Sequence, residues 1–123
     1  MAYLNSRVLD NGLTVLDTEA NRLDICSQEP ATYAEATSTY TLGNKTSLSI
    51  GSPAANTPSG RKVTVAAITD GTVTDTDDAT SWAISDTVNS RLLAAGSLSA
   101  PQAVSSGNTF TLAEFDIAIP GPA

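Results

Sequence analysis

Lys62-Val63-Thr64-Val65 and Phe115-Asp116-Ile117-Ala118-Ile119 decide how this chain is read. In both, apolar residues recur at every second position, which marks a strand with one face in a core and the other in water. Between them the text breaks into short strand-like pieces at 62–69, 72–76, 81–85, 91–95, 103–104, 109–112 and 114–120. The punctuation is turn chemistry: Asp70-Gly71 as a two-residue hairpin turn, Asp77-Asp78, Thr87-Val88-Asn89-Ser90, Gly96 and Ser106-Gly107-Asn108. Phe110 and Leu112 fall on one parity while Phe115, Ile117 and Ile119 fall on the other. A bulge or tight bend is therefore predicted near Ala113-Glu114. Short strands at this spacing predict an all-β fold, an antiparallel β-sandwich or jelly-roll-like domain.

Upstream the pattern changes. Leu9, Leu13, Leu16 and Ala20 sit at helical spacing, with Ser6 as a candidate N-cap, although Asp10-Asn11-Gly12 reads equally well as a turn. Residues 1–21 are thus expected to form a short N-terminal helix or arm, and 22–123 the β-sandwich, as one structural domain. Leu23 and Ile25 alternate with Arg22, Asp24 and Cys26 in a strand that Glu29-Pro30 ends. Two tyrosines seven residues apart, Tyr33 and Tyr40, suit a short helical turn leading to a loop at Gly43-Asn44. Residues 47–51 read as a brief strand with Leu48 and Ile50 on one face, and 52–60 as an exposed loop.

Composition narrows the function. Six Lys and Arg against thirteen Asp and Glu give a net charge of −7, which disfavours a nucleic-acid partner and an anionic membrane surface. No apolar run approaches the roughly 20 residues that span a bilayer. The Met-Ala-Tyr-Leu-Asn-Ser-Arg start lacks the form of a signal peptide, so synthesis in the cytoplasm is expected. With no histidine and one cysteine, Cys26, the chain lacks the residues for Ser-His-acid or Cys-His catalysis and for thiolate or imidazole zinc sites. No enzyme, no cofactor and no metal is expected. The acidic run Asp75-Thr76-Asp77-Asp78 lacks the spacing of an EF-hand and reads as a solvated hairpin tip. Cys26 reads as a small, partly buried side chain, and Trp82 as a core anchor ahead of a sugar platform.

The run Arg7-Val-Leu-Asp-Asn-Gly-Leu-Thr-Val-Leu-Asp-Thr-Glu-Ala20, with Asn21-Arg-Leu-Asp-Ile-Cys-Ser-Gln-Glu-Pro30 and Ala34-Glu-Ala-Thr-Ser-Thr-Tyr-Thr-Leu-Gly-Asn-Lys45, resembles a family of small structural proteins of tailed bacteriophages. Gly60-Arg-Lys-Val-Thr-Val, Ala79-Thr-Ser-Trp-Ala-Ile, Arg91-Leu-Leu-Ala and Ser106-Gly-Asn-Thr-Phe extend the resemblance over nearly the whole chain. It implies a virion structural protein and transfers no catalytic or ligand residue. The small acidic chain suits a capsid decoration, or cement, protein on the outer capsid surface, a homo-oligomer, trimer first, that bridges major capsid protein subunits. A tail or fibre component involved in host attachment is the alternative.

Attachment is expected to use the apolar stripe Leu9, Leu13 and Leu16, packed at a subunit or capsid interface in preference to folding back as a lid. The core of a chain with only 5% aromatic residues gains from sharing apolar surface. Arg22, Arg61 and Lys62 are the candidate charged contacts, pairing with acidic groups of the same molecule or of a neighbour.

Overall fold

The computed structural model describes residues 3–4, 14–51, 54–55 and 61–119. It is an antiparallel all-β protein. In chain order the elements are β1 (Tyr3–Leu4), α1 (Thr14–Glu19), β2 (Arg22–Cys26), a π-helical turn (Glu35–Thr39), β3 (Thr41–Thr46), β4 (Ala54–Ala55), β5 (Arg61–Val65), β6 (Ile68–Val73), β7 (Asp77–Asp86), β8 (Arg91–Val104), β9 (Thr109–Leu112) and β10 (Phe115–Ile119). A seven-stranded sheet runs β1-β8-β7-β2-β3-β6-β9, and a three-stranded sheet runs β10-β5-β4.

The parity change at 113–114 marks the passage from one sheet to the other. In the small sheet Val63 pairs with Ile117 and Val65 with Phe115. Three residues past Val65, β6 begins in the large sheet, where Ile68 pairs with Leu112 in the same register. The ladder of β5 with β10 and that of β6 with β9 are therefore one long antiparallel pairing, folded at Ala66-Ala67 on one strand and Ala113-Glu114 on the other. Corners of this kind let a strand pair serve two sheets.

Two glycines expected in turns lie inside strands. β6 continues through Asp70-Gly71, and a side chain at Gly71 would collide with the Phe110 ring. Likewise β8 continues through Gly96, where an added Cβ would come within 2.8 Å of the Trp82 ring. Each glycine opens a seat for an aromatic ring on the neighbouring strand. The predicted break between 95 and 103 is instead a bulge: Ser81 pairs with Ser97 but Ala79 pairs with Gln102, so 98–101 are extra residues of β8 opposite Thr80. Gly43-Asn44 also lies in a strand, β3, and 47–51 contributes only an isolated bridge from Ile50 to Val65. The expected turns at 87–90 and 106–108 are present.

One core serves both sheets. Leu23, Ile25, Ile84, Leu93 and Phe110 from the large sheet meet Val63, Val65 and Ile117 from the small one. β2 is buried on both faces, because its other side, with Cys26, packs beneath Ala36, Tyr33 and Tyr40 of the π-helical segment. That segment is pinned at its start, where Glu35 N–H donates to Thr32 Oγ1 and Ala31 N–H donates to Glu35 Oε1.

The helix places one leucine of the expected interface stripe, Leu16, in the core. α1 covers only Thr14–Glu19, and Leu16 is 0% exposed within the chain's own core beside Val15. Leu9 and Leu13 lie outside the described residues. Leu16 is thus a core residue and offers no surface to a partner, which is the folded-back arrangement. Leu16→Ala is expected to lower unfolding stability by about 2–5 kcal/mol, the range for emptying a buried leucine site. Denaturant unfolding measures it, and a loss below about 1 kcal/mol would show that α1 is peripheral.

Candidate functional site

Arg22 and Asp24 lie two apart on β2 and so share a face. The guanidinium clasps the carboxylate with two hydrogen bonds, Nε to Oδ1 at 2.8 Å and NH2 to Oδ2 at 2.9 Å. Thr41 Oγ1 donates a third, at 2.6 Å to Oδ2. Asp24 has no exposed side-chain surface, while Arg22 retains some. The expected interface residue Arg22 is therefore committed to a carboxylate of its own strand. Burial pushes the Asp24 carboxyl above the ordinary carboxylate range, against the pull of the Arg22 and Thr41 hydrogen bonds. The bond to Asp24 in turn raises the Arg22 guanidinium.

A similar economy governs the other described cations. Lys45 pairs with Asp70 at 3.1 Å across β3 and β6, and Arg91 reaches Glu19 at 4.0 Å. Lys62 pairs with Asp116 across β5 and β10 at 3.2 Å, where Thr64 Oγ1 also donates to Asp116 at 2.6 Å. These two donors hold the Asp116 carboxyl below its ordinary range. The Arg61 side chain lies outside the described residues.

The acidic run is not a hairpin tip. It links β6 to β7, which are not neighbours in the sheet, and its last residues open β7. Thr76 Oγ1 accepts the Ser106 N–H, and Asp77 Oδ1 accepts the Asp78 N–H. Among the described residues no group of three or more His, Cys, Asp or Glu is placed to hold a metal ion. Cys26 is buried with Sγ 3.8 Å from the Ala36 carbonyl oxygen, and burial pushes its thiol up to about 12.

Two further surface features are present. One is the β7–β8 turn, which presents Val88 at 81% exposure. Asp86, itself buried, braces that turn: Oδ1 accepts the N–H groups of Val88 and Asn89, and Oδ2 accepts the Asn89 side-chain amide. Asn21 Oδ1 accepts the Thr87 N–H from the other side. An Asp three residues before an Asn in a four-residue turn is a readable signal for such bracing.

The other is a cleft of about 550 Å³ between the 98–101 bulge of β8 and the β9–β10 corner. Trp82 and Phe115 line it with ring centroids 4.7 Å apart and planes tilted by 43°. Leu98, Leu112, Gln102 and Glu114 are also part of its wall. Trp82 is half-buried, so it anchors the core, as expected, and also faces this opening. Sequence pattern places Trp82 and Phe115 on separate strands and gives no sign that the corner brings them together.

No protein-family model, curated protein or solved structure matches the chain.

Two measurements follow from the buried groups. A carboxyl whose pKa is raised on folding binds its proton more tightly in the folded state, so its contribution is fullest at low pH and is lost as pH rises from the unfolded value of about 3.9 through the raised one. The unfolding midpoint of the wild type is expected to fall relative to Asp24→Asn as pH is raised through that window. A difference between the two that stays flat with pH overturns the assignment. Cys26 should resist alkylation in the folded protein at mildly alkaline pH and react only after unfolding, because the thiolate is the reactive form. Rapid labelling of the native chain would mean that the thiol is accessible.

Proposed function

We propose that this chain is a non-catalytic structural component of a tailed-phage virion, a capsid decoration protein that attaches as a homo-oligomer to the outside of the shell and bridges major capsid protein subunits. The single observation that carries the reading is the disposition of charge. Each cation with a described side chain is taken up in an ion pair within the molecule, the net charge is −7, and the carboxylates Asp75, Asp77, Asp78 and Glu114 are exposed. Such a surface suits a basic partner, and electrostatic complementarity of that kind sets orientation and rate of docking. The family resemblance supplies the virion setting.

Val88 replaces Leu16 and Arg22 as the contact residue of choice, since it is apolar, exposed and mounted on a braced turn. Lys62, already paired with Asp116, is at most a rim contact.

Purified particles should contain the protein in hundreds of copies, counted by quantitative mass spectrometry. A handful of copies would instead assign it to the tail or fibre. On shells stripped of the protein, rebinding is expected to weaken as salt is raised from low to physiological strength, where the screening length contracts to about 8 Å. Val88→Asp should reduce rebinding while leaving the thermal midpoint unchanged. Attachment indifferent to both salt and this substitution is incompatible with the proposed contact.

A further inference from the structure

We infer that the cleft between the β8 bulge and the β9–β10 corner binds a neutral saccharide. Its volume of about 550 Å³ lies within the roughly 300–1,000 Å³ of ligand sites. Its wall combines two kinds of surface. Trp82 and Phe115 offer partly exposed aromatic rings whose positions are fixed by the packing of β7 against β10 and by the seat at Gly96. Around them stand the hydroxyls of Ser97 and Thr111, the amide of Gln102 and the carboxylates of Glu114 and Asp116. A sugar presents the matching pair of surfaces, a ring face of C–H groups and an edge of hydroxyls that both donate and accept.

Charge and partner accounting remove the competing ligands. Neither lysine nor arginine lines the cleft among the described residues, and Lys62 beside it is bonded to Asp116. An anion such as a phosphate or a uronate would therefore find two carboxylates and no cation there. A wholly apolar ligand would strip water from Glu114 and Gln102 and return no hydrogen bond. A small cation would gain little, because Asp116 is already held by Lys62 and Thr64 and the remaining carboxylate, Glu114, is exposed. It would also leave the hydroxyls and the amide unused. Rigid rings cost little conformational entropy on binding, which favours weak but specific recognition by so small a site.

The inference stands independently of the virion reading. Trp82 is the chain's one tryptophan, so its fluorescence reports the cleft directly. The intact protein would be titrated with cellotriose, chitotriose, maltotriose and mannotriose, with glucuronic acid and choline as the charged controls. A saturable change is expected with at least one neutral trisaccharide and none with glucuronic acid. Gln102→Ala and Glu114→Ala, both away from the buried core, should shift the midpoint about tenfold upward without moving the thermal unfolding temperature. Three results would overturn the proposal: no saturable response to any of the four sugars at about 10 mM, a response to choline alone, or equal affinity in both variants.

Discussion

A carboxylate with no contact with water sits on the central strand of the large sheet, and the rest of the architecture is arranged around keeping it satisfied. Asp24 takes its compensation from Arg22 on the same strand face and from Thr41 on the neighbouring strand. A buried ion pair is weak evidence for stability, since desolvation offsets the attraction, but a broken one is costly. It therefore specifies more than it strengthens. Sliding β3 along β2 by one residue would carry Thr41 away from Asp24 and turn Leu42 of β3 out of the core. The bulge between Ile25 and Cys26, which leaves Leu42 as the extra residue of β3, is what brings Thr41 into range while Leu42 stays in the core.

The second organising element is the folded ladder. The β5–β10 register carries across the corner to Ile68 and Leu112 before the β6–β9 pairing shifts by one residue, and Phe115 stands just past the corner where it meets Trp82. Core, corner and cleft thus have a common origin. The apolar alternation of β10 fills the core with Ile117, while the abrupt passage through Ala113-Glu114 leaves an opening that the β8 bulge does not close. An aromatic pair at the mouth of that opening follows from the corner and needs no further device.

Alternation made the strands legible, and a change of parity made the corner legible, because both are local consequences of side chains pointing to opposite faces. Glycine misled for a physical reason. Gly71 and Gly96 look like turn residues, yet their lack of a side chain answers a ring on the adjacent strand, a demand that appears only once Phe110 and Trp82 are placed opposite them. Leu16 belongs to the same class: helical spacing gives a stripe but not what the stripe touches. Arg22 and Asp24 could be placed on one strand face by counting, whereas the hydroxyl that completes their site comes from seventeen residues further along. The cleft has no local pattern, since it arises where elements distant in the chain meet, whereas Val88 stands in a turn legible from Thr87-Val88-Asn89-Ser90.

The sequence separation across the folded ladder also sets an order of assembly. β7 and β8 are joined by four residues and need little chain entropy to meet, so their hairpin is the natural early structure. Thr64 and Asp116, by contrast, are fifty-two residues apart along the chain. Contacts of such range slow folding, because the closure entropy is lost before the contact returns anything. The three-stranded sheet accordingly closes late, and until it does, Val63, Val65 and Ile117 remain uncovered. During that interval the nascent chain carries its greatest risk of self-association, and the abundance of surface carboxylates repels copies of the chain from one another while the sheet completes.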